Sequence, residues 1–222
     1  MIIKAEKKSP LELKSDLIVL GLFDEKTQKC EIFKALDNVL DKALSNYVLK
    51  AEQFKPKFLS QYELPTLGKI ETPKVLIVGL GEKESFSSDK LRQVMMSAIK
   101  KIKSYKNVAV ATIAVPMVDD VKLDAQVITE GLILGGYSFD KYKSEKKKDI
   151  LKTVYICTES TTEAKKGIQK GEILAEVSNM ARNLCNEPAQ YVTPTKLAQI
   201  ASELQLRFTK KLNVKKWEWV HF

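Results

Sequence analysis

Histidine is almost absent from this sequence: among its 222 residues there is one, His221. A serine triad needs a histidine held in place inside a fold, which a residue beside the end of the sequence does not supply. A zinc-protease helix needs a pair of histidines, so that site is excluded too. The three cysteines, Cys30, Cys157 and Cys185, lie far apart. Their spacing argues against a disulfide framework or zinc knuckle, suits a reducing cytosol, and favours small buried side chains.

Long apolar runs are missing as well. The longest, such as Val108–Val118, are far shorter than the roughly 20 residues that a membrane-spanning helix needs. No long apolar stretch follows the first lysines, so the amino terminus does not resemble a secretory signal. With 44% hydrophobic and 29% charged residues, the composition is typical of a globular protein. We therefore expect a cytoplasmic protein with no membrane partner.

The net charge of +9 admits an anionic partner. The lysines are spread along the chain, however, with one dense run at Lys146–Lys148. Aromatic residues are not interleaved with them, as a stacking surface for single-stranded nucleic acid requires. A solvated basic surface is therefore favoured, and binding to nucleic acid remains the alternative.

Apolar periodicity predicts alternating strands and helices. Strands are predicted at Ile2–Ala5, Asp16–Phe23, Lys74–Gly81, Val108–Val115 and Thr153–Cys157, with an edge strand or hairpin within Phe54–Leu64. Helices are predicted at Phe33–Val48, at Ser88–Lys103 with Ser88 as its cap, and at Asp124–Tyr137. This order predicts an α/β fold in which helices flank a mixed, mainly parallel sheet.

The stretch Ile173–Ala201 predicts a helix, a loop and a second helix. Pro188 ends the first helix, because a residue before proline is disfavoured in the α conformation. Thr193 and Pro194 begin the second, as a hydroxyl cap followed by a ring-fixed φ. We expect three parts: an amino-terminal domain over residues 1–160, a connecting helix over 161–187, and an incomplete second domain over 188–222.

Candidate sites are few. Gly79 and Gly81 end a strand before a helix, where backbone N–H groups can bind phosphate. The third glycine of a dinucleotide fingerprint is missing and no P-loop lysine follows, so a plain turn is favoured. Two acidic clusters, Asp119-Asp120 and Asp140 with Glu145, could ligate a hard metal, but they lie among lysines and are predicted to be solvated. From residues alone, no catalytic, cofactor-binding or metal-binding residue is assigned.

Three ordered segments resemble the leucyl (cytosol) aminopeptidase family of metallopeptidases. The residues ARNLCNEPA at 181–189, followed by Thr193-Pro194 and Leu197-Ala198, are similar to a family segment, from which Gln190 departs because asparagine is usual there. VLIVGLGEKESFSSDKLR at 75–92 resembles the family's strand, glycine turn and Leu-Arg helix. EGLILGGYSFDKYKS at 130–144 resembles its Glu-Gly and Tyr-x-Phe-Asp element.

The resemblance implies a macro-domain-like α/β amino-terminal domain, a connecting helix and then a catalytic domain. In the family, two divalent metal ions, zinc or manganese, are bound by aspartates, a glutamate and a lysine, and they activate water. The family's metal-binding run is not in this sequence, so no metal ligand is carried over. The matched residues are expected to be structural. Pro188 and Pro194 shape the loop, and Gly79 and Gly81 form the turn. Three aromatic residues are expected to pack in the core or at an interface (Tyr137, Phe139 and Tyr142).

The sequence after Leu206 departs from the family. Both tryptophans lie within the last six residues, and a shifted reading of the codons for Lys216–Phe222 can encode the family's Met-Gly-Met-Gly-Ala-Phe-Leu. We therefore expect residues 217–222 to be out of frame, which resequencing the A-rich codons tests.

Two function hypotheses follow. The first is the amino-terminal portion of a cytosolic leucyl aminopeptidase, whose peptide substrates and homo-hexamer belong to the full-length enzyme and which is inactive alone. The alternative is a free-standing binding module for DNA or a nucleotide. Helix 193–206 would lack the sheet of the catalytic domain, against which its apolar stripe is expected to pack. We therefore expect residues after Gln190 to be less ordered than Lys74–Cys157.

Overall fold

The computed structural model describes residues 1–25, 30–50, 53–116, 120–144 and 149–207. Within them, the strands are β1 (Ile2–Glu6), β2 (Leu17–Phe23), β3 (Gln61–Pro65), β4 (Lys74–Gly81), β5 (Val110–Ala114) and β6 (Thr153–Cys157). The α-helices are α1 (Glu31–Val39), α2 (Ser88–Ser104), α3 (Val121–Gly135), α4 (Thr161–Asn186) and α5 (Pro194–Arg207), and a π-helical segment covers Ala43–Lys50. The chain divides into two compact units, Met1–Ser178 and a second that begins at Asn179.

The six strands form one sheet in the order β1-β6-β5-β2-β4-β3. Neighbouring strands are parallel except β3, which pairs antiparallel with β4 at one edge. The predicted mixed, mainly parallel sheet flanked by helices is therefore confirmed, and the segment predicted as an edge strand or hairpin supplies the antiparallel edge.

The central strand β2 shows why helices are needed on both faces. All seven of its residues are buried, and they alternate between two apolar clusters because successive side chains point to opposite faces. Leu17 and Val19 pack with apolar residues of α2, α3 and α4. Ile18 and Leu20 pack with α1 and the π-helical segment. A strand buried on both faces is typical of a parallel sheet.

The single helix predicted over Phe33–Val48 is wrong, because the structure breaks it after Val39. Asp41 and Lys42 have positive φ values of 52° and 64°, a left-handed conformation that cannot continue an α-helix. The buried Asp37 stabilises the break, since its carboxylate accepts a hydrogen bond of 3.0 Å from the backbone N–H of Ser45. The apolar spacing continues across the break, so periodicity alone gave no sign of it.

Two helix starts also differ from prediction. The cap of α2 is Ser87, not Ser88: the Ser87 hydroxyl accepts a hydrogen bond from the N–H of Lys90. Helix α3 begins at Val121 and not at Asp124. Its cap is Asp120, whose carboxylate accepts a 2.9 Å hydrogen bond from the N–H of Leu123. Asp120, predicted to be a solvated loop acid, therefore has a structural function at a helix end.

The loop that contains Pro188 connects α4 to α5. The predicted start of α5 is confirmed, since Pro194 is its first residue and the Thr193 hydroxyl accepts a 3.3 Å hydrogen bond from the N–H of Lys196. Within the loop, the carbonyl of Pro188 accepts a 2.9 Å hydrogen bond from Tyr191. In the part of the chain that is described, no helix is long and apolar enough to cross a membrane.

Candidate functional site

Gly79 and Gly81, predicted to form a turn that could bind phosphate, lie at the end of β4. Gly81 has a φ of 78°, which favours glycine. A methyl group at Gly79 would lie 2.0 Å from the carbonyl oxygen of Lys57. The N–H of Gly79 donates to the Ser60 carbonyl at 2.8 Å, and that of Gly81 to the Pro56 carbonyl at 3.0 Å. Both donors are thus used within the chain, and both glycines lie within the last residues of β4 rather than in a turn after it.

An ion-pair network joins the two motif segments of the first unit, residues 75–92 and 130–144. The buried carboxylate of Glu130, on α3, accepts hydrogen bonds of 2.7 Å from Arg92 Nε and 2.7 Å from Gln126 Nε2. Arg92, on α2, also donates to Asp89 at 2.6 Å. The Leu-Arg and Glu-Gly motifs, far apart in sequence, therefore meet in space. Because each charge is already paired, this network suits a structural connection between helices better than catalysis.

Glycines let the same two helices approach closely. A methyl group at Gly131 would lie 2.6 Å from the carbonyl oxygen of Arg92, and one at Gly135 would lie 2.6 Å from Cα of Met96. Contacts this short require the backbone of α2 to move. Two residues that share a motif with Glu130 thus serve packing, which sequence reasoning did not predict.

A second polar cluster lies where α2 ends beside β3 and β4. Glu63 accepts hydrogen bonds from Lys74 Nζ at 2.9 Å and from the Tyr105 hydroxyl at 2.7 Å. These bonds, that of Lys74 first, hold the pKa of Glu63 below its usual value. Burial, and then the bond to Glu63, raise the pKa of Tyr105. The ammonium groups of Lys74 and Lys101 lie 4.9 and 5.4 Å from the Tyr105 ring centroid. These contacts connect β3 and β4, at the antiparallel edge of the sheet, to the end of α2.

A cleft of about 480 Å³ lies at the carboxyl-terminal ends of α2 and α3. Lys103 crosses it, donating to the carbonyl of Gly136 at 2.9 Å and pairing with Asp149 at 3.2 Å. Asp140, one of the predicted metal candidates, is ion-paired with Lys143. These two ion pairs account for four of the five charged residues that line the cleft, and Lys100 is the fifth.

The aromatic residues of this segment were predicted to pack. Phe139 is half-buried and its ring centroid lies 5.9 Å from that of Tyr142, and Tyr137 is half-buried as well. Tyr142 is 52% exposed, so it is not a core residue. Its contact with Phe139 is a surface contact.

The acidic residues do not form a metal centre in the part of the chain that the structure describes. Within it, no group of three or more histidine, cysteine, aspartate or glutamate side chains could bind a metal ion. Asp119, Glu145 and His221 lie outside the described residues, as do residues 217–222, for which a shifted frame is predicted.

The cysteines differ from one another. Cys30 and Cys157 are half-buried and Cys185 is exposed, and all three are free thiols. The prediction of a buried side chain is thus wrong for Cys185. Burial, and then the nearby charge of Glu6, raise the pKa of Cys157 to about 12. Its thiol therefore stays protonated at neutral pH, which disfavours reaction as a nucleophile.

Comparison with known proteins shows the family of this chain. The profile of the cytosol aminopeptidase family, N-terminal domain, matches residues 19–146. The chain belongs to the cytosol aminopeptidase family. A probable cytosol aminopeptidase of Sulfurihydrogenibium sp. is 32% identical over 207 residues, which cover 91% of this chain and 41% of that protein. One of Aquifex aeolicus is 38% identical over 173 residues, or 76% of this chain and 34% of that protein. The chain thus corresponds to the amino-terminal part of these cytosol aminopeptidases, and the matched regions span between about a third and two fifths of their length.

Solved structures share the fold. A mutant tomato leucine aminopeptidase superposes with a TM-score of 0.81 and 24% identity, covering 94% of this chain and 43% of that one. The bottromycin maturation enzyme BotP in complex with Mn superposes with a TM-score of 0.62 and 20% identity, covering 87% and 36%. The alternative prediction of a free-standing DNA or nucleotide module finds no support, because the matches are to aminopeptidases and the glycine-turn donors are already used.

Proposed function

We propose that this chain is the amino-terminal domain of a metal-dependent aminopeptidase that releases amino-terminal residues from peptides, and that it supplies scaffold, not catalytic groups. The observation that carries the proposal is the match of residues 19–146 to the N-terminal domain of the cytosol aminopeptidase family. The motif residues support it, because Arg92, Glu130 and Gly131 contact one another.

Two divalent metal ions, zinc or manganese, are the proposed cofactors of the full-length enzyme. The acidic residues described here do not fit such a centre, since no group of three ligating side chains occurs among them. We propose the division into residues 1–160, 161–187 and 188–222, a cytoplasmic location, and a homo-hexamer for the full-length enzyme that this chain alone does not form.

A direct assay tests the predicted inactivity. The purified chain is incubated with a leucyl chromogenic amide and with Mn²⁺ or Zn²⁺, beside the full-length Aquifex aeolicus relative. We expect turnover by the relative only. Metal-dependent turnover by this chain, abolished by a chelator, would contradict the proposal.

A chimera tests the scaffold function itself. The amino-terminal region of the Aquifex aeolicus relative is replaced by the aligned region of this chain, with which it shares 38% identity. We expect a soluble, active chimera whose kcat per folded molecule is unchanged by Glu130→Gln, while its melting temperature falls. A chimera that folds but loses turnover on that substitution would show that Glu130 acts in catalysis and would overturn the scaffold proposal.

A further inference from the structure

Strand β1 ends one side of the sheet, and its outer edge has no partner strand among the described residues. The N–H of Ile2 donates to the carbonyl of Lys152 at 2.7 Å, on the side of β6. Since backbone groups alternate in direction along a strand, the N–H and C=O groups of Ile3 and Ala5 point away from β6. Such an edge is a template for pairing with another chain.

The edge is accessible from one face of the sheet. A groove of about 450 Å³ runs between β1 and α4, with Ile3, Ala5 and Ile168 among its lining residues and with Lys165 and Glu172 beside them. The apolar members are buried and the charged ones are partly or fully exposed. A strand added to β1 would find space here for the side chains on its inner face.

The opposite face of β1 and β6 is only partly covered. Helix α1 and the π-helical segment pack on β2 and β4, whereas Lys4 is exposed and Glu6, Tyr155 and Cys157 are half-buried. This uncovered face therefore contains one basic and one acidic residue of β1, two positions apart on the same side of the strand.

That charge pattern is complementary to itself. If two copies of β1 pair antiparallel with Ala5 opposite Ala5, then Lys4 of each copy faces Glu6 of the other. Sliding one copy by two residues, the smallest shift that keeps the side chains on their faces, would place Lys4 opposite Lys4 or Glu6 opposite Glu6, and like charges directly opposite are destabilising.

We propose that β1 is a docking edge for a second copy of this chain, which pairs antiparallel about Ala5 and extends the sheet across the two copies. Backbone hydrogen bonds supply the contact, and the two Lys4–Glu6 pairs fix its register. The strand has only five residues, so the interface falls below the roughly 1,000 Å² of a stable assembly. The dimer is therefore weak and depends on concentration.

Sedimentation velocity of the full chain between about 5 and 500 µM tests this at low salt. We expect the wild type to dimerise in the upper part of that range. Lys4→Glu alone, or Glu6→Lys alone, should weaken dimerisation at least about tenfold, because each creates two like-charge contacts. The double variant Lys4→Glu/Glu6→Lys should restore it, and an equimolar mixture of the two single variants should form a heterodimer.

Two controls separate this edge from general charge and folding effects. Lys34→Glu makes the same charge change at an exposed position of α1 and should leave dimerisation unchanged. Ala5→Pro removes an outward N–H, which an edge strand tolerates, and should abolish dimerisation without lowering the melting temperature greatly. A wild type that stays monomeric at 500 µM, association that persists in Lys4→Glu, or single variants that do not combine would each overturn the proposal.

Discussion

The motif residues of α2 and α3 contact one another, whereas those of the stretch 181–198 lie near the surface. Glu130 is 6% exposed and is bonded to Arg92. By contrast, no residue from Ala181 to Ala198 is buried. Apolar side chains are exposed here and in the preceding turns of α4, with Ile173 at 63% and Val177 at 56%.

The two groups of motif residues therefore differ in what they contribute to the stability of this chain. Residues that pack on one another inside a domain determine the stability of that domain, so their replacement should be costly in this chain. Residues at the surface contribute little to its stability, whatever they do in a longer protein. The two motif regions should therefore respond very differently to substitution, and the following variants test that contrast.

Among the motif residues, Gly131→Ala should give the largest loss of stability. The added methyl group would lie 2.6 Å from the carbonyl oxygen of Arg92, so α2 and α3 must separate. Overpacking of this kind costs about 1–3 kcal/mol, and we expect the upper end because backbone must move. Urea unfolding measures it. The matched control is Gly68→Ala, which meets nothing within 4 Å and should cost only about 1 kcal/mol, for its positive φ. Equal losses in the two variants would refute the packing explanation.

Glu130→Ala should be nearly as costly. It leaves the guanidinium of Arg92 and the buried amide of Gln126 without their shared acceptor. Loss of one partner of a buried pair costs about 3–5 kcal/mol, but Arg92 is 28% exposed, so we expect about 2 kcal/mol. Glu130→Gln keeps an acceptor oxygen and should lose less. A Glu130→Ala protein as stable as the wild type would show that the ion pair contributes no net stability.

The sequence predicted most of this first region because its signals are local. Apolar runs located β2 and β4, and the period of α2 located its buried face. The contact between Arg92 and Glu130 was not predictable, since nothing in either segment indicates that residues 38 positions apart are neighbours. The break after Val39 was not predicted because the local signal is misleading there. The apolar spacing continues through the break, although two residues with positive φ end the helix.

The helix-loop-helix order of the stretch 181–198 was also predicted, because its signals are local as well. Proline and threonine determine where α5 begins, and both act within one turn of the helix. The exposure of Val177 could not be derived from its apolar character, because periodicity marks a helix face but not what covers it. The buried face of α4 is instead formed by small residues such as Gly167, which approach the backbone of α3 at Lys122.

The pH dependence of the Glu63 cluster should have a smaller effect. Hydrogen bonds from Lys74 and Tyr105 lower the pKa of Glu63 in the folded state. The stability it contributes is therefore present above the ordinary value of 4.5 and is lost as the pH falls through the folded-state pKa. At pH 7, Glu63→Gln should cost about 1 kcal/mol or less, and this difference from the wild type should shrink below pH 4.5. The same pH series on Glu203→Gln, at an exposed position of α5, is the reference for general effects of acidification. A difference that grows on acidification would contradict this linkage.

The smallest effect is expected at Val177, and one helix provides its control. Val177→Ala removes apolar atoms from a side chain that is 56% exposed, whereas Ile168→Ala removes them from one that is 4% exposed in the same α4. Truncation of a buried isoleucine costs about 2–5 kcal/mol, while a surface change stays within about 0.5 kcal/mol.

The free energies of unfolding of both variants are measured by urea unfolding at a protein concentration of about 5 µM and again at about 500 µM. If Val177→Ala costs as much as Ile168→Ala at both concentrations, that turn of α4 is covered within the folded chain in solution. If the cost appears only at the higher concentration, the apolar residues of α4 are covered by association between copies, at a surface separate from the one proposed at β1.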